Sequence, residues 1–499
     1  MDFVYDDIPL IKELPSLLDL RNIPRVFVTD LGQIMAGKTP YYRPLVFTSF
    51  ALDHFIWKEN PFGYHLTSVI LHTIVSLLVY LLAGRIVKSG VAAFAAGLLF
   101  AVHPVNAEAV AWITARNDLL AALFMFFSYF TFLIFREKGK KTLLFISLIS
   151  FFLALLSKEM AITLPLLILL HVCCFTGERW QKKLVWPALY VAMVLPYLLI
   201  RVLVLDMQNW GNHPFYWKLC TGIGLVVSYT RLLLFPVNLS VFYNIPIQKS
   251  FSSPEVLVPL LLLSVIAATI IASLKYDRKL FFSLSWVYVT LLPVSGFVAL
   301  LNPALMAERY LYIPAAGFCM AVGILFSRFV DAEKWSLSSV RAVCLAGAIV
   351  IIMLLTVTVR RNHAWENQHA FMVNMIKDAA GTEYASYFLG TLYKEAGRAD
   401  AAIGEFSKAL ALNPNLFEAH YSLGILYSGK GKLKEAEEEF HQALALNPKD
   451  VKACNNLGVI YAKQGKIKDA TIQFYQALRL DPDDVFAREN LEKALLLAR

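Results

Sequence analysis

The sequence predicts an all-helical protein in which a multi-pass membrane bundle is followed by an array of paired helices. The first observation is the composition, since 58% of the residues are hydrophobic and only 17% are charged. Soluble domains have roughly 45–50% apolar and about 25% charged residues, so the composition predicts an integral membrane protein. The second observation is a repeat of 34 residues near the carboxyl end. The two halves therefore belong to different structural classes, one membrane-embedded and one a helical repeat array.

Hydrophobic segments of membrane-spanning character begin at Gly63 and alternate with short polar connections. The predicted segments are 63–84, 91–108, 117–135, 142–157, 160–176, 184–204, 217–236, 255–274, 279–300, 309–328 and 341–359. Several are shorter than the roughly 20 residues that a perpendicular helix needs. The sequence thus predicts a transmembrane domain over 63–360, preceded by an external loop over 1–62.

Basic residues in the connections predict the orientation. They cluster at Arg85 and Lys88, at Arg136 to Lys141, at Arg179 to Lys183, at Lys275 to Lys279 and at Arg328 to Arg341. Because Lys and Arg collect in cytoplasmic loops, these five connections are predicted to be cytoplasmic, and the net charge of +9 indicates topology and not nucleic-acid binding. Residues 1–62, 103–117, 157–160, 205–255, 301–309 and everything after Arg360 then lie on the opposite side.

This orientation requires that segment 217–236 does not cross the membrane. The segment contains Tyr229 and Arg231 and is followed by Pro236, which favours a re-entrant or surface helix packed against protein. The alternative is an ordinary span, with the charge rule broken in the later loops. With segment 217–236 excluded, the remaining segments make ten crossings.

The region 381–482 contains three tetratricopeptide (TPR) repeats. The residues in register are Leu389, Leu423 and Leu457, Gly390, Gly424 and Gly458, Phe406, Phe440 and Phe474, and Pro414, Pro448 and Pro482. Residues 361–380 are predicted to be a linker and residues 483–499 a capping helix. The concave groove would display Tyr387, Tyr421 and Asn455 to a peptide or partner protein, or the array would be a structural spacer.

Polar residues collect on the predicted non-cytoplasmic side, whereas the opposite loops offer little beyond Lys and Arg. The candidates for a site are Asp6, Asp7, Arg43, His103, Glu108, Arg116, Lys158, Glu159, Arg201, His213, Glu308, Arg309 and Tyr312. Ionisable groups at membrane depth are costly, so their shared location indicates function.

Several of these residues also have a purely structural interpretation. Lys158 and Glu159 would serve equally well as an ion pair between two helices. A helix beginning after Pro104 would place Glu108, Trp112 and Arg116 on one face, where Glu and Arg would pair. Asn117 and Asp118 would then cap the following span.

The candidate residues suit transfer of a sugar from a lipid phosphate to a hydroxyl group. An Arg side chain grips a phosphate in a bidentate pair, and a carboxylate removes a proton from an attacking hydroxyl. Tyrosines such as Tyr310 and Tyr312 offer a ring face and a hydroxyl to a sugar. The sequence has no P-loop, no GxGxxG and no metal motif with ligand spacing, so no organic cofactor is predicted. Assistance by a divalent cation is left open.

Six ordered motifs and the repeats resemble the transmembrane and TPR-containing O-mannosyltransferases, which are GT-C glycosyltransferases. The motifs are FVYDD, YYRPL, NPFGYHLTSVILH, HPVNAEAVAWITARND, LSKEMAITLPLLILL and ERYLYIP. The resemblance implies a GT-C-type bundle, a polyprenyl- or dolichyl-phosphate donor carrying mannose, and inverting transfer to Ser or Thr of a protein on the non-cytoplasmic face. It also assigns catalysis to Asp6 and Asp7, with Asp6 favoured as the base.

One departure from the family concerns the amino end. The resemblance implies a transmembrane helix immediately before the acidic pair, whereas Met1 stands where that helix should end. The expectation is a misassigned start codon or a truncated chain.

Two other functions remain open at this stage. A lipid-phosphate sugar transferase acting on a glycan or lipid fits the membrane half equally well, and a membrane-anchored TPR scaffold explains the repeats without catalysis. The expected partners are the lipid-linked donor, membrane lipid and a protein or peptide acceptor in the TPR groove, and no nucleic acid. The membrane is either a bacterial inner membrane with periplasmic repeats or that of the endoplasmic reticulum with lumenal repeats.

Overall fold

The computed structural model describes the chain except for residues 13–17, 29–41, 205–213, 296–304, 331–335, 483 and 498–499. The described residues up to 370 form one compact unit, here called the membrane unit. Those from 371 onwards form a second unit, here called the repeat unit. Every regular element in the described ranges is helical, as the composition and the repeat period predict.

The membrane unit begins with a π-helical turn at Ile8–Lys12 and then consists of helices. They are α1 (Ile23–Val26), α2 (Pro44–Trp57), α3 (Pro61–Val87), α4 (Gly90–Val102), α5 (Ala107–Ala111), α6 (Arg116–Lys138), α7 (Lys141–Ser157), α8 (Leu164–Phe175), α9 (Trp180–Val204), α10 (Phe215–Leu234), α11 (Pro254–Tyr276), α12 (Arg278–Leu291), α13 (Tyr312–Val330) and α14 (Leu337–Asn362). Short 3-10 turns join several of them, among them Pro104–Asn106, Ile113–Ala115, Glu159–Thr163 and Glu308–Leu311.

Six helical stretches in the described residues are long and apolar enough to cross a membrane. They are Pro61–Val87, Ile113–Lys138, Trp180–Val204, Pro254–Tyr276, Glu308–Val330 and Leu337–Trp365. Two shorter apolar helices, Lys141–Ser157 and Glu159–Phe175, lie between them in the chain. The chain is therefore a multi-pass membrane protein. Helix α10 is not among the six, and whether it crosses stays a prediction.

Two predicted segments differ from straight spans. Segment 91–108 is bent by 51° between Gly90–Val102 and Pro104–Ala111, because Pro104 removes a backbone donor and leaves His103 extended. Helix α12 ends at Leu291, well before the predicted boundary at residue 300, and a 3-10 turn containing Pro293 follows. Proline residues thus set both boundaries.

Small residues allow the membrane helices to approach closely. A Cβ atom added to Gly317 on α13 would lie 2.7 Å from the carbonyl oxygen of Ser283 and 2.7 Å from the ring of Trp286, both on α12. Membrane helices gain little from the hydrophobic effect against one another, so close van der Waals contact of this kind holds them together.

The repeat unit contains paired helices. They are α15 (Gln368–Asp378), α16 (Glu383–Glu395), α17 (Ala399–Leu412), α18 (Phe417–Gly429), α19 (Leu433–Leu446), α20 (Val451–Lys463), α21 (Ile467–Leu480) and α22 (Val485–Leu497). Helix α15 begins at the end of the membrane unit and occupies much of the stretch 361–380 that the sequence predicts to be a linker. Each repeat packs a glycine of its first helix against a buried phenylalanine of its second, so that a Cβ on Gly390 would lie 2.9 Å from the ring of Phe406.

The three predicted groove residues are half-buried and already engaged within the array. Tyr387 packs against Phe406, with ring centroids 5.7 Å apart. The hydroxyl of Tyr421 accepts a hydrogen bond from Nδ2 of Asn456 at 3.0 Å, and Oδ1 of Asn455 accepts one from Nδ2 of Asn490 at 2.9 Å. These bonds join α18 to α20 and α20 to the final helix α22.

Candidate active site

The amino-terminal segment is held in place by apolar side chains on either side of the acidic pair. Phe3 and Val4 are buried before it, and Leu10 and Ile11 are buried after it. The ring of Phe3 packs edge-on against Tyr64 of α3, with centroids 5.4 Å apart. Burial of four apolar side chains fixes a segment that lacks a long helix of its own.

Tyr5 has a backbone conformation that is uncommon for residues other than glycine. Its φ of 52° lies in the left-handed region, which is uncommon for a residue with a Cβ atom. Its backbone N–H donates to Oε1 of Gln368 at 2.8 Å, and the N–H of Asp2 donates to the carbonyl of Glu366 at 2.8 Å. Backbone conformations of this kind persist where surrounding contacts enforce them and are frequent at functional sites.

Asp7 is fully buried and is bound by three hydrogen bonds. Its Oδ1 accepts from the backbone N–H of Thr114 at 2.8 Å and also from the Thr114 hydroxyl, and its Oδ2 accepts from the N–H of Val4 at 3.2 Å. Thr114 lies in the 3-10 turn that opens the span ending at Lys138, so Asp7 caps this helical end from a distant part of the chain. Burial raises the pKa of Asp7 to about 7, while the bonds from Thr114 and Val4 oppose that shift.

Asp6 differs from Asp7 in its environment. Its side chain is half-buried, whereas that of Asp7 is completely enclosed. Two adjacent carboxylates thus have different exposure to water and to a substrate.

The adjacent residues Lys158 and Glu159 each form an ion pair with another part of the chain. Lys158 Nζ lies 2.7 Å from both carboxylate oxygens of Asp118 on α6, and both side chains are buried. Glu159 Oε1 accepts from Nη2 of Arg43 at 2.9 Å. The predicted ion-pairing is therefore present, but each residue pairs with a separate partner and not with its neighbour.

Glu308 and Arg309 are likewise adjacent residues that each form an ion pair with a separate partner. The guanidinium of Arg309 pairs with Glu108, whose Oε2 also accepts from the Arg309 backbone N–H at 3.0 Å. Glu308 Oε2 accepts from Nε of Arg361 at 3.0 Å. Its Oε1 accepts from the backbone N–H of Ser240 at 2.8 Å and from the hydroxyl of Tyr243 at 2.9 Å.

Aromatic rings connect these pairs with the acidic residues. Lys158 Nζ and the guanidinium carbon of Arg309 each lie 5.0 Å from the ring centroid of Tyr310. Arg309 also lies 5.0 Å from the ring of Trp112, and that ring is 6.1 Å from Tyr5. We call the four ion pairs the charge cluster; it comprises Arg43, Glu108, Asp118, Lys158, Glu159, Glu308, Arg309 and Arg361.

Three other predicted residues are buried and bonded to other parts of the protein. Arg116 is fully buried, with Nη1 2.6 Å from Asp53 Oδ2 and Nη2 donating to the carbonyl of Tyr64 at 2.8 Å. His103 donates from Nε2 to the carbonyl of Leu233 at 3.1 Å. The hydroxyl of Tyr312 is hydrogen-bonded to Nδ1 of His72 at 2.7 Å, and its ring is enclosed. His213 lies outside the described residues.

Arg201 differs from the candidates Arg43, Arg116 and Arg309 because it forms no ion pair with a carboxylate in the described part of the chain. Its only hydrogen bond in the described part of the chain runs from Nη1 to the hydroxyl of Tyr197 at a distance of 3.5 Å. Its Nε is buried and lacks an acceptor there. It lies in the last turn of α9, close enough to Glu159 for the two charges to interact. A guanidinium without a carboxylate partner is suited to an incoming anion.

The predicted common face of Glu108, Trp112 and Arg116 is wrong. Helix α5 ends at Ala111, and Trp112 has an extended backbone, with φ −87° and ψ 115°. The ring of Trp112 instead stacks on Trp365, with centroids 5.4 Å apart and an interplanar angle of 17°. The predicted cap is also wrong, because the carboxylate of Asp118 binds Lys158 and not a helix end.

Sequence reasoning did not select Thr114, Asp118, Trp112 or Arg361 as site residues. The first three lie within the quoted motif HPVNAEAVAWITARND, so that motif was a usable signal. Arg361 follows the last apolar segment, where a basic residue is indistinguishable from a topology signal. Within the described ranges, no three His, Cys, Asp or Glu side chains are grouped to hold a metal ion.

Family models match both halves of the chain. Residues 42–205 match the model of dolichyl-phosphate-mannose-protein mannosyltransferase. Residues 390–431 match a TPR repeat, and residues 421–485 match a tetratricopeptide repeat.

Individual relatives cover more of the chain. Protein O-mannosyl-transferase F38B6.6 of Caenorhabditis elegans is 27% identical over 436 residues, which are 83% of this chain and 60% of that protein. Protein O-mannosyl-transferase TMTC3 of Mus musculus is 25% identical over 472 residues, 84% of this chain and 50% of that one. TMTC2 of Mus musculus is 40% identical over 130 residues, 26% of this chain and 16% of that protein.

The predicted resemblance is thus confirmed by these matches. The chain is similar over most of its length to the transmembrane and TPR-containing protein O-mannosyl-transferases, and it spans about half to three-fifths of the length of the first two relatives.

Proposed function

We propose that this chain is a membrane glycosyltransferase that moves mannose from a polyprenyl- or dolichyl-phosphate donor to a Ser or Thr hydroxyl of a protein on the non-cytoplasmic face. The observation that carries the proposal is the pair Asp6 and Asp7, one half-buried and one enclosed, beside the charge cluster. Similarity to the O-mannosyl-transferases supports the same reaction.

Asp6 is the general base in this proposal. Its partial exposure allows contact with the acceptor hydroxyl, whereas Asp7 is enclosed and has three hydrogen-bond donors of its own. The acceptor oxygen attacks the anomeric carbon of mannose while Asp6 takes the hydroxyl proton, and the bond from that carbon to the phosphate oxygen breaks. Asp7 positions Asp6 by attaching the segment to Thr114.

The donor phosphate is assigned to Arg201. Arg43 and Arg309 each neutralise a glutamate, and Arg116 is enclosed with Asp53, so a phosphate there would compete with a carboxylate. Arg201 has no ion-pair partner among the described residues, and its buried Nε lacks an acceptor. Placing an anion on it would satisfy that donor.

The acceptor polypeptide is assigned to the groove of the repeat unit. Side chains of Tyr387, Tyr421 and Asn455 are half-buried, and Ile425, one turn beyond Tyr421 on α18, is exposed. A surface that combines apolar and amide groups suits an extended peptide, because it contacts side chains and satisfies backbone hydrogen bonds.

The proposal is tested by transfer of radiolabelled mannose from polyprenyl-phosphate-mannose to a Ser- and Thr-containing peptide by the purified full chain. We expect Asp6→Asn to lower kcat by roughly 10²–10⁴-fold, the usual contribution of a positioned base. Asp19→Asn is the matched control, because Asp19 lies in the same segment and pairs at the surface with Arg21. Its activity should equal that of the wild type.

Two outcomes would overturn these assignments. Full activity of Asp6→Asn together with an inactive Asp7→Asn would exchange their roles. No transfer by the wild type from any lipid-phosphate sugar would remove the proposed function.

Thr114 tests the positioning role of Asp7 in the same assay. Thr114→Val removes the hydroxyl donor but keeps the backbone donor, so kcat should fall about tenfold with KM unchanged, since one hydrogen bond to a charged group contributes about 1.5–3 kcal/mol. Thr114→Ser retains the hydroxyl and should retain activity. Equal loss in both variants would contradict the assignment.

A further inference from the structure

A cavity of about 220 Å³ lies far from the acidic pair, between the ends of α3, α6 and α8. Its polar lining consists of Arg85, Arg136, Glu137, His171 and Thr176. Helix α6 has 23 residues, so Arg136 near its end is roughly 30 Å from Thr114 just before its start. The cavity is therefore on the membrane face opposite to Asp6 and Asp7.

Both arginines lie over aromatic rings. The guanidinium carbon of Arg85 lies 5.0 Å from the ring centroid of Phe130, and that of Arg136 lies 5.0 Å from that of Trp186. A cation–π contact of this kind restrains the side chain and reduces the conformational freedom lost on binding a ligand. His171 adds an imidazole whose Nδ1 is hydrogen-bonded to the hydroxyl of Tyr129 at 2.8 Å.

Each guanidinium also has a carboxylate neighbour at the rim. Arg85 pairs with Glu137, and Arg136 Nη2 lies 2.8 Å from Glu178 Oε1. The Glu137 side chain is 54% exposed and that of Glu178 is 29% exposed. Exposed ion pairs contribute little free energy, so the mostly exposed Glu137 can turn to water when another anion arrives, whereas Glu178 is less exposed and keeps its pair with Arg136.

The position of the cavity matches the level of lipid headgroups. Arg85 lies in the last turn of the span Pro61–Val87, and Arg136 lies in the last turn of the span Ile113–Lys138. Two of the basic connections that predict the cytoplasmic side border the cavity through Arg85 and Arg136, and Thr176, which also lines it, lies just before a third. Basic pockets between membrane helices on the cytoplasmic side are suited to anionic headgroups.

We propose that this cavity binds the phosphate headgroup of an anionic membrane lipid in the leaflet opposite to the acidic pair. The phosphate oxygens take hydrogen bonds from Arg85 and Arg136, and Glu137 swings away into water. The acyl chains lie along the apolar surface of the neighbouring helices, which continues from the cavity wall at Ile86 and Leu133. The site is separate from the proposed sugar transfer and does not depend on it.

A structural role for the same residues makes a different prediction. Cations in the last turn of a helix stabilise its carboxyl end, and the two ion pairs would then act alone. In that case the cavity binds no lipid. Replacing Glu137 by a neutral residue would then lower the stability of the protein and leave lipid binding unchanged.

The test is lipid binding to the purified full chain, measured by native mass spectrometry during titration with phosphatidylglycerol. Phosphatidylcholine is the neutral-headgroup comparison, and inorganic phosphate is added as a competitor. Arg85→Gln and Arg136→Gln are each expected to weaken phosphatidylglycerol binding about tenfold, because each removes one charge-assisted hydrogen-bond donor. Arg328→Gln is the matched control, since Arg328 also ends an apolar helix in a surface ion pair, with Asp277. It should bind as the wild type does.

Glu137→Gln keeps the proposal testable if the arginine variants do not fold. It removes the internal competitor for Arg85 and should tighten phosphatidylglycerol binding severalfold. The lipid assignment is overturned by equal binding of phosphatidylglycerol to the wild type and the arginine variants, by weaker or unchanged binding to Glu137→Gln, or by displacement of the lipid at equimolar inorganic phosphate.

Discussion

The repeat unit and the charge cluster of the membrane unit both depend on specific contacts between buried side chains. They differ in how far apart in the sequence the contacting residues lie. In each of the three repeats a glycine of the first helix meets the phenylalanine 16 residues later, as Gly458 meets Phe474. In the membrane unit Arg43 meets Glu159 across 116 residues, and Arg309 meets Glu108 across 201. Local periodicity specifies the first kind of contact, and only the completed fold specifies the second.

This difference implies different responses to substitution. Loss of a contact in the repeat unit should affect one helix pair and its neighbours, because repeat arrays are stabilised by nearest-neighbour contacts. Loss of a charge in the cluster leaves its partner buried and unpaired in a low-dielectric setting. The following variants test that contrast.

Lys158→Met should have the largest effect on stability. It leaves the buried carboxylate of Asp118 without its cation, which costs about 3–5 kcal/mol. The measurement is the unfolding free energy of the purified protein in detergent. Lys141→Met, at the exposed start of α7, is the control and should change stability by less than about 0.5 kcal/mol. Equal stabilities of the two variants would show that the pair is not buried as described.

Asp7 should make stability depend on pH. Its folded-state pKa is raised to about 7 from 3.8, so the folded protein binds a proton that the unfolded chain has already released. The stabilisation of the folded state by this proton is complete below about pH 4. It is lost as pH rises to about 7, at up to about 1.4 kcal/mol per pH unit. Thermal unfolding at several pH values should show this loss in the wild type and not in Asp7→Asn. A wild-type profile parallel to that of Asp7→Asn would contradict the raised pKa.

Gly458→Ala should disturb one repeat. The added Cβ would lie 2.5 Å from the ring of Phe474, which is buried, so overpacking of about 1–3 kcal/mol exceeds the gain in helix propensity. Gly404→Ala is the matched change on α17, where a Cβ meets nothing within 4 Å, and it should stabilise the helix by up to about 1 kcal/mol. Hydrogen exchange of amides in α20 and α21 measures the first change, and exchange of amides in α16 and α17 measures the second. Faster exchange after Gly404→Ala would reverse the interpretation.

Tyr421→Phe should have the smallest effect. It removes the acceptor for Asn456, a net contribution of about 0.5–1.5 kcal/mol, and leaves the ring packing on Phe440 intact. Tyr475→Phe is the control because Tyr475 is exposed on α21. Amide exchange in α18 and α20 should rise only in the first variant, and no change in either helix would show that this hydrogen bond contributes nothing.

The sequence was a good guide to the elements and a poor guide to the pairs. Apolar runs and the 34-residue period predicted the membrane helices and the repeat helices, because both depend on patterns within one segment. Their interruptions were less predictable, since the extended residue Trp112 stacks on Trp365, far away in the chain. The ion-pair partners of Lys158 and Glu159 could not be predicted either. Several acidic and basic residues were predicted on the same side of the membrane, and nothing in the sequence distinguished between them as partners.

The four ion pairs of the charge cluster have a consequence for the order of events. Four acids and four bases make the cluster electrically neutral, so in the proposed function Arg201 balances the one negative charge of the donor phosphodiester. In the proposed reaction the leaving phosphate becomes a dianion while Asp6 becomes neutral, so the total charge of the site does not change. The imbalance arises afterwards, when Asp6 returns its proton to water and faces the dianion. Electrostatic repulsion at that moment favours departure of the spent lipid before a new donor enters.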